Sequence, residues 1–307
     1  MIEPTLHYVN CPGTAISGAP VHQMAYWEWN QTGQMDCPWV IVCVHGLTRQ
    51  GRDFDVLARA LSSYARVVCP DVAGRGRSEW LQDAHHYGVP QYVQDMVQLL
   101  EHVHARAPMR RLDWMGTSMG GLIGMAMAAD SALPLPAPLR KLLLNDVGPE
   151  LEWPALQRIG AYVGQSVHFE NMHQGVQALR ALSIGFGPHS DAQWQALSEP
   201  MLVPLVAPAQ GWQLHYDPAI AVPFRGLTRQ QLQDTLPQAW AMYDNIGAQT
   251  LLVRGAQSDL ISATTAASMQ QRGPRARCIE LEGVGHAPTF VVDDQVGIAV
   301  DFFVSDE

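Results

Sequence analysis

Short apolar runs alternate with longer amphipathic stretches along the first half of the chain, and this alternation limits the possible folds more than any other feature. Strand patterns occur at 39–44 (WVIVCV), 65–71, 111–116 and 139–146, with helical patterns between them at 53–63, 90–105 and 120–130. Strands covered on both faces are typically continuous apolar runs. The order therefore predicts βαβ units and a doubly wound, mostly parallel sheet with helices on both faces.

The same rhythm returns near the end of the chain. Residues 250–255 and 277–283 are predicted strands, and 264–273 and 295–306 are predicted helices. An alternating apolar and polar segment at 21–30 predicts an early strand, which we expect to be antiparallel.

The segment between these two parts breaks the pattern. Residues 150–246 contain no clear buried strand and are rich in glutamine, proline and aromatic residues. A single crossover connection needs far fewer residues. We therefore predict a core domain formed by 1–149 and 247–307, with 150–246 inserted as a mostly helical cap, called the cap segment below. Ordinary helices covering the sheet are the alternative.

Composition excludes several classes of function. The chain has 307 residues, 47% hydrophobic and 16% charged, which suffices for a substantial core. A net charge of −10 argues against nucleic acid or an anionic membrane as the main partner. No apolar run reaches membrane-spanning length, and the N-terminus lacks the pattern of a secretory signal. The cysteines are scattered without metal-ligand spacing, so a reducing cytoplasm is the expected location.

A serine stands between glycines where a predicted strand meets a predicted helix. The sequence is Gly-Thr-Ser-Met-Gly-Gly, with Ser118 flanked by Gly116 and Gly120. A sharp turn from strand to helix raises the serine hydroxyl above the sheet and leaves no room for Cβ atoms two residues away on either side. Ser118 is therefore the predicted nucleophile. A glycine-rich turn with an incidental serine is the alternative.

A serine hydroxyl needs a base and an acid that orients the base. His286, in GVGHAPTF, directly follows the last predicted strand and is the predicted base. Asp259, in RGAQSDLIS, follows the strand at 250–255 and is the predicted acid. Asp146, at the end of LLLND, is a possible alternative acid, and Asp259 could instead belong to a helix N-terminus.

Two loops after predicted strands complete the candidate site. In the loop that begins His45-Gly46, the backbone N–H of Leu47 can combine with that of Met119 to form an oxyanion hole. We interpret His45 itself as structural. The loop 71–78 (DVAGRGRS) predicts a tight turn, with a phosphate cradle as the less favoured interpretation.

The set of motifs resembles the α/β-hydrolase superfamily. The resemblance rests on the chain order serine, aspartate, histidine and on the motifs HGL, DVAGRGRS, GTSMGG, RGAQSDL and GVGHAP. It covers the core regions but not the cap segment. It implies an eight-stranded sheet and places the chain near the cap-bearing serine esterases. Epoxide hydrolases and haloalkane dehalogenases of this superfamily carry aspartate in place of Ser118, which excludes both classes. Proline iminopeptidases usually carry tryptophan in place of Met119, which argues against that class.

The meta-cleavage-product hydrolases share the Ser-Met-Gly-Gly run. They typically carry asparagine before the nucleophile and tryptophan after the histidine, where this chain has Thr117 and Ala287. The predicted function is therefore hydrolysis of an ester or related acyl bond of a small, fairly apolar molecule, with no metal and no cofactor. Hydrolysis of a C–C bond in a diketone of the meta-cleavage type is one alternative. A ligand-binding protein on an inactive hydrolase scaffold is the other.

Overall fold

The computed structural model describes residues 3–13 and 22–305. In chain order its strands are β1 (Thr5–Cys11), β2 (His22–Trp29), β3 (Trp39–Val44), β4 (Arg66–Pro70), β5 (Arg111–Thr117), β6 (Leu139–Asn145), β7 (His168–Phe169), β8 (Leu202–Pro204), β9 (Trp212–Leu214), β10 (Gln249–Gly255) and β11 (Arg277–Leu281). Its α-helices are α1 (Asp55–Leu61), α2 (Val89–Arg106), α3 (Met119–Ala129), α4 (Trp153–Tyr162), α5 (Met172–Leu182), α6 (Asp191–Ser198), α7 (Val222–Arg225), α8 (Arg229–Asp244), α9 (Ala263–Met269) and α10 (Asp293–Val304).

The main sheet has eight strands in the order β1-β2-β4-β3-β5-β6-β10-β11. Strand β2 is antiparallel to both β1 and β4, and the other neighbouring pairs are parallel. The predicted fold class, a mostly parallel eight-stranded α/β sheet, is confirmed. Strand β1 was not predicted individually, and Val21, the first residue of the predicted early strand, lies outside the described residues.

The central strands are apolar on both faces because each face packs against its own layer of helices. Along β3, Val40 and Val42 belong to one buried core, whereas Ile41 and Cys43 belong to another on the opposite face. This division follows from the two-residue repeat of a strand, which sends successive side chains to opposite sides. It explains why the run WVIVCV contains no polar position.

The cap segment lies between β6 and β10. It contains α4 to α8 and a small antiparallel sheet in the order β7-β9-β8, which is separate from the main sheet. Local sequence explains where two of its helices begin, because Ser190 with Gln193 and Thr228 with Gln231 form capping boxes at α6 and α8. The three short strands were not expected from the sequence. The domain boundaries at 150 and 246 stay a prediction.

All five cysteines are free thiols, and Cys43 and Cys69 are fully buried in the sheet. Within residues 3–13 and 22–305, no helix is both long enough and apolar enough to cross a bilayer.

Candidate active site

Ser118 occupies the sharp turn between β5 and α3. Its backbone has φ 51° and ψ −116°, a conformation that residues with a side chain rarely adopt. A Cβ on Gly116 would lie 2.1 Å from the carbonyl oxygen of Gly120, and one on Gly120 would lie 2.0 Å from that of Val44. The two glycines are therefore required by the turn, as predicted from the sequence.

The helix after the turn packs closely against the sheet because it also carries glycines on its inner side. A Cβ on Gly121 would lie 2.3 Å from Val147, and one on Gly124 would lie 2.4 Å from the indole nitrogen of Trp114 on β5. This close packing fixes the N-terminus of α3 beneath Ser118. The positive end of the helix dipole therefore points towards the hydroxyl.

His286 lies in the loop after β11, and its ring reaches the elbow. Its Nε2 is 3.0 Å from the hydroxyl oxygen of Ser118, and its Nδ1 is 2.7 Å from a carboxylate oxygen of Asp146. The side chain is 14% exposed, so solvent reaches the ring only in part. This geometry lets one imidazole connect a hydroxyl to a carboxylate.

Asp146 directly follows β6 and is fully buried. Besides His286, its carboxylate accepts hydrogen bonds from the backbone N–H of Gly255 at 2.9 Å and from the hydroxyl of Ser258 at 2.7 Å. These donors compensate for the loss of hydration that burial imposes on a carboxylate. Its own backbone has φ 53°, an uncommon conformation for a residue other than glycine.

The expectation that Asp259 contacts the histidine is wrong. Its carboxylate, which is 48% exposed, accepts two hydrogen bonds from Arg158 on α4, at 2.7 and 2.9 Å. The physical reason is sheet order: β6 lies between β5 and β10, so a residue after β6 stands beside the elbow. Asp259 lies four positions beyond the end of β10 and faces the cap segment. Its neighbour Ser258 contacts Asp146 instead.

The loop after β3 lies against the elbow. A Cβ on Gly46 would be 3.7 Å from the Cβ of Ser118, and both Leu47 and Ser118 line the same cavity. Met119 is the first residue of α3, so its N–H has no partner within the helix. Leu47 and Met119 are thus in place to offer backbone donors near the hydroxyl. Their role as an oxyanion hole stays a prediction.

His45 connects two of these loops and is fully buried. Its Nε2 accepts a hydrogen bond from the N–H of Val72 at 2.9 Å, so its Nδ1 carries the proton and donates to the carbonyl of Gly46 at 2.7 Å. Burial lowers the pKa of His45 well below its usual value. The ring is neutral and structural, in agreement with the interpretation from the sequence.

The loop 71–78 is organised around a buried carboxylate. Asp71 accepts hydrogen bonds from the backbone N–H groups of Gly51 and Arg77, each at 2.8 Å, and burial raises its pKa to about 6. A Cβ on Gly76 would lie 2.3 Å from this carboxylate. The backbone N–H groups of residues 74–78 are all paired within the protein, that of Arg77 with Asp71 and that of Gly76 with His215. The loop is therefore a structural turn around the carboxylate and does not form a phosphate cradle.

Ser118 and His286 open into a cavity of about 490 Å³ between the sheet and the cap segment. This volume falls in the range of small-molecule sites. The sheet domain contributes Gly46, Leu47, Thr48, Arg49, Asp53, Phe54, Thr117, Ser118, His286, Ala287, Pro288 and Thr289. The cap segment contributes Arg158, Ile159, Tyr162, Gln165, Val167, Ala178, Leu179, Ala181, Leu182, Ser183, Phe186, Leu197, Met201, Leu214 and Tyr216.

The wall from the cap segment is mainly apolar. The aromatic residues of the cap segment did not reveal which of them line the cavity, because aromatic residues at helical spacing indicate burial without indicating what covers them. The two arginines of the cavity are each neutralised by an aspartate: Arg49 by Asp53 at 2.6 Å and Arg158 by Asp259 at 2.7 Å. The cavity walls therefore present little net charge to a ligand.

A buried cluster elsewhere has the residue types of a metal site. Ligand atoms of Cys11, His22 and Asp95 lie within 4.8 Å of one another. However, His22 pairs with one carboxylate oxygen of Asp95 at 3.2 Å, and Gln91 donates to the other at 2.8 Å. Burial raises the pKa of the Cys11 thiol, which favours its protonated form. We interpret the cluster as a hydrogen-bonded link between β1, β2 and α2.

Comparisons with known proteins show the family to which the chain belongs. A model of the alpha/beta hydrolase family matches residues 41–298. The chain is 50% identical over 303 residues to a 3-hydroxybutyrate-oligomer hydrolase of Cupriavidus necator, covering 98% of each chain. It is 25% identical over 273 residues to a pimeloyl-[acyl-carrier protein] methyl ester esterase of Xanthomonas axonopodis pv. citri, covering 86% of this chain and 94% of the esterase.

Solved structures give the same picture of the fold. An alpha/beta hydrolase from Novosphingobium aromaticivorans superimposes with a TM-score of 0.79 at 33% identity, covering 98% of both chains. A hydrolase of Rickettsia typhi, described as putative, superimposes with a TM-score of 0.84 at 23% identity, covering 99% of this chain and 100% of the other. The names of the sequence relatives support an ester hydrolase.

Proposed function

Because this chain belongs to the alpha/beta hydrolase family, we propose that it hydrolyses esters of small, fairly apolar molecules through an acyl-enzyme formed on Ser118. The observation that carries the proposal is the unbroken series of hydrogen bonds from Ser118 through His286 to Asp146. A serine becomes nucleophilic when a neighbouring imidazole can accept its proton, and a carboxylate fixes the tautomer of that imidazole.

In the first half of the reaction Ser118 attacks the ester carbonyl, and His286 takes its proton on Nε2. The backbone N–H groups of Leu47 and Met119 stabilise the oxyanion of the tetrahedral intermediate. Asp146 stabilises the imidazolium through Nδ1. His286 then gives the proton to the leaving alcohol, which departs and leaves the acyl group on Ser118.

In the second half water attacks the acyl-enzyme, and the same groups act in the same order. His286 accepts a proton from the water and returns it to Ser118 as the carboxylic acid leaves. The cap segment, 150–246, supplies the wall that excludes bulk water and selects the acyl chain. Every step uses side chains and backbone donors of this chain, so the proposal requires no cofactor.

As the substrate class we propose linear esters of short hydroxy acids, such as oligomers of 3-hydroxybutyrate. The 50% identity to the Cupriavidus necator hydrolase extends over nearly the whole of both chains, including the cap segment that lines the cavity. The internal units of such an oligomer are uncharged and carry methyl groups. An apolar cavity whose arginines are already neutralised by aspartates suits those units.

Substitution of the nucleophile tests the proposal. Ser118→Ala should fold normally and lose turnover of both a 3-hydroxybutyrate trimer and p-nitrophenyl butyrate by about 10⁴-fold or more, since the triad acts as a unit. Ser183→Ala removes a second serine from the same cavity and should retain turnover within about threefold. Product formation is followed by chromatography for the trimer and by absorbance for the nitrophenyl ester.

Three outcomes would contradict parts of this proposal. An active Ser118→Ala protein would exclude the acyl-enzyme. Wild-type turnover of a dienoate of the meta-cleavage type without turnover of esters would instead favour C–C bond hydrolysis. A wild-type protein that binds esters but turns over none would favour a ligand-binding role.

A further inference from the structure

Arg75 is a fully buried cation in the loop after β4, and the chemistry above does not use it. Its Nε donates to the carbonyl of Leu47 at 2.8 Å, and its Nη2 lies 3.6 Å from the sulfur of Met119. Its Nη1 donates to the carbonyl of Ala73 at 2.6 Å and to the hydroxyl of Tyr92 at 2.8 Å. One guanidinium therefore contacts both residues whose N–H groups form the proposed oxyanion hole.

The charge of Arg75 is not neutralised by a carboxylate. Its hydrogen-bond partners are carbonyls, a hydroxyl and a thioether, and no ion pair found among residues 3–13 and 22–305 includes it. The rings of Tyr87 and Tyr92 lie 5.6 and 5.2 Å from its central carbon. Burying a guanidinium in this way is unfavourable unless its hydrogen bonds are satisfied. A merely space-filling role would be served better by an apolar side chain.

The backbone at Leu47 is held from two directions. Arg75 holds the carbonyl of Leu47 itself, and His45 holds the carbonyl of Gly46, which belongs to the same peptide group as the N–H of Leu47. Fixing the peptide planes on both sides of Leu47 fixes the direction of that N–H. An oxyanion donor is effective only if it points to the correct place before the reaction begins.

We propose that Arg75 is a positioning residue for the oxyanion hole: its guanidinium holds the loop after β3 and the start of α3 in register and adds an unneutralised positive charge behind the two N–H donors. The inference rests on the proposed acyl-enzyme mechanism and identifies what organises its electrostatic part. Arg75 does not touch the substrate, because the guanidinium acts through the Leu47 carbonyl and the Met119 side chain.

The field of this charge reaches neighbouring groups of the site. Burial lowers the pKa of His45 and of His215, and the positive charge of Arg75 lowers both further. Both rings lie against the loop that carries Leu47, since His215 contacts the carbonyl of Thr48 at 3.3 Å. A charge that disfavours protonation of nearby rings favours a developing oxyanion for the same reason.

Arg75→Met tests the proposal, because methionine keeps an apolar side chain of similar length but lacks both the charge and the N–H donors of the guanidinium. We expect kcat for p-nitrophenyl butyrate to fall about 10²-fold while KM changes less than about threefold, as for loss of an oxyanion donor. Affinity for a trifluoromethyl ketone, whose adduct places an oxyanion in the hole, should fall by the same factor as kcat. Active-site concentration is measured by labelling with a fluorophosphonate.

Arg66→Met is the matched control. Arg66 is equally buried, but it lies at the start of β4 and pairs with Glu28 at 2.7 Å. Its substitution should lower the free energy of unfolding and leave kcat of the folded protein within about twofold. Arg75→Lys keeps the charge, but a single ammonium group cannot contact both the Leu47 carbonyl and the Met119 sulfur. This variant should fold, and its kcat should be about tenfold lower than that of the wild type.

The outcomes separate this inference from the function on which it rests. A wild-type protein that turns over no ester refutes both. If the wild type is active and either Arg75→Lys or Arg75→Met retains the wild-type kcat, the inference alone is refuted. The inference is also refuted if Arg75→Met changes KM but leaves kcat unchanged. It is equally refuted if affinity for the trifluoromethyl ketone changes no more than KM does.

Discussion

The carboxyl edge of the main sheet and the cap segment above it form one cavity, but they hold their residues differently. At the sheet edge, backbone geometry fixes the reactive groups: Ser118 and Asp146 have positive φ values, and Gly120 contacts the backbone of β3. The cap segment contributes mostly apolar side chains. We therefore expect the sheet edge to tolerate almost no change of position and much of the cap segment to accept substitution.

A few polar contacts join the two regions. His215 accepts a hydrogen bond from the N–H of Gly76 at 2.6 Å, and Arg49 donates to the carbonyl of Leu197 at 2.8 Å. The carbonyl of Gly185 accepts from the N–H of Gly285, next to His286, at 2.7 Å. Positions in the cap segment that make these contacts should therefore behave like the sheet edge.

The largest difference in stability between the two regions should come from substituting one helical glycine in each. In Gly120→Ala the new Cβ would lie 2.0 Å from the carbonyl oxygen of Val44, so unfolding free energy should fall by about 3 kcal/mol and ester turnover should be lost. Gly160→Ala on α4 meets no atom within 4 Å and should gain roughly 0.5–1 kcal/mol. Urea denaturation measures both, and a Gly120→Ala protein as stable as the wild type would contradict the account.

An intermediate effect is expected where the cap segment approaches the histidine. A Cβ on Gly185 would lie 3.0 Å from the carbonyl oxygen of His286 and 3.2 Å from its nitrogen. Gly185→Ala should shift this loop by a few tenths of an ångström and lower kcat about tenfold, because small misplacements of reacting groups are costly. Gly226→Ala, with no atom within 4 Å of the new Cβ, should retain the wild-type kcat. Equal rates in the two variants would show that the contact is irrelevant.

A further effect concerns the pH dependence of stability. Burial lowers the pKa of His215 to about 3, whereas the pKa of a histidine in an unfolded chain is about 6.5. The unfolded state therefore binds more protons between these values, so His215 makes stability fall as pH decreases from 6.5 towards 3, by about 2 kcal/mol at pH 5.

His215→Gln should remove this part of the pH dependence, since glutamine can keep the contacts to Gly76 and Thr48 without titrating. Denaturant unfolding at pH 7 and pH 5 measures the difference between the two proteins. The variant of an exposed histidine, His85→Gln, should show the same pH dependence as the wild type. A pH dependence unchanged by His215→Gln would contradict the assignment.

The elbow and the histidine were predictable because their signals are local. Ser118 needs glycines at fixed offsets, a buried strand before it and a helix after it, and all of these are visible in the six residues GTSMGG and their flanks. His286 directly follows the last predicted strand. The sheet was predictable because central strands of a parallel sheet are continuous apolar runs.

The partner of the histidine was not predictable from local sequence. Asp146 and Asp259 both follow predicted strands, and the order of strands in the sheet decides which of them faces His286. Sequence spacing contains no such information. Ser258, adjacent to Asp259, favoured the wrong residue. Its hydroxyl could serve as a local helix cap, which left Asp259 free for the histidine, but Asp259 pairs with Arg158 instead.

Strand β1 and the cavity wall were missed for a related reason. Strand β1 (TLHYVNC) lies at the edge of the sheet, where burial is partial and the alternation of polar and apolar residues is weak. The wall residues Tyr162, Phe186 and Tyr216 resemble any other aromatic residues of the cap segment. Arg75 looked like an ordinary basic residue of a loop, because only its contacts distinguish it.

The most direct test of the account compares the two aspartates. Asp146→Asn and Asp259→Asn are matched changes, and turnover of p-nitrophenyl butyrate is measured for each with active-site concentration determined by fluorophosphonate labelling. The account predicts that Asp146→Asn lowers kcat by about 10⁴-fold, through loss of the correct histidine tautomer, while Asp259→Asn stays within about threefold of the wild type. A large loss in Asp259→Asn together with an active Asp146→Asn would contradict it.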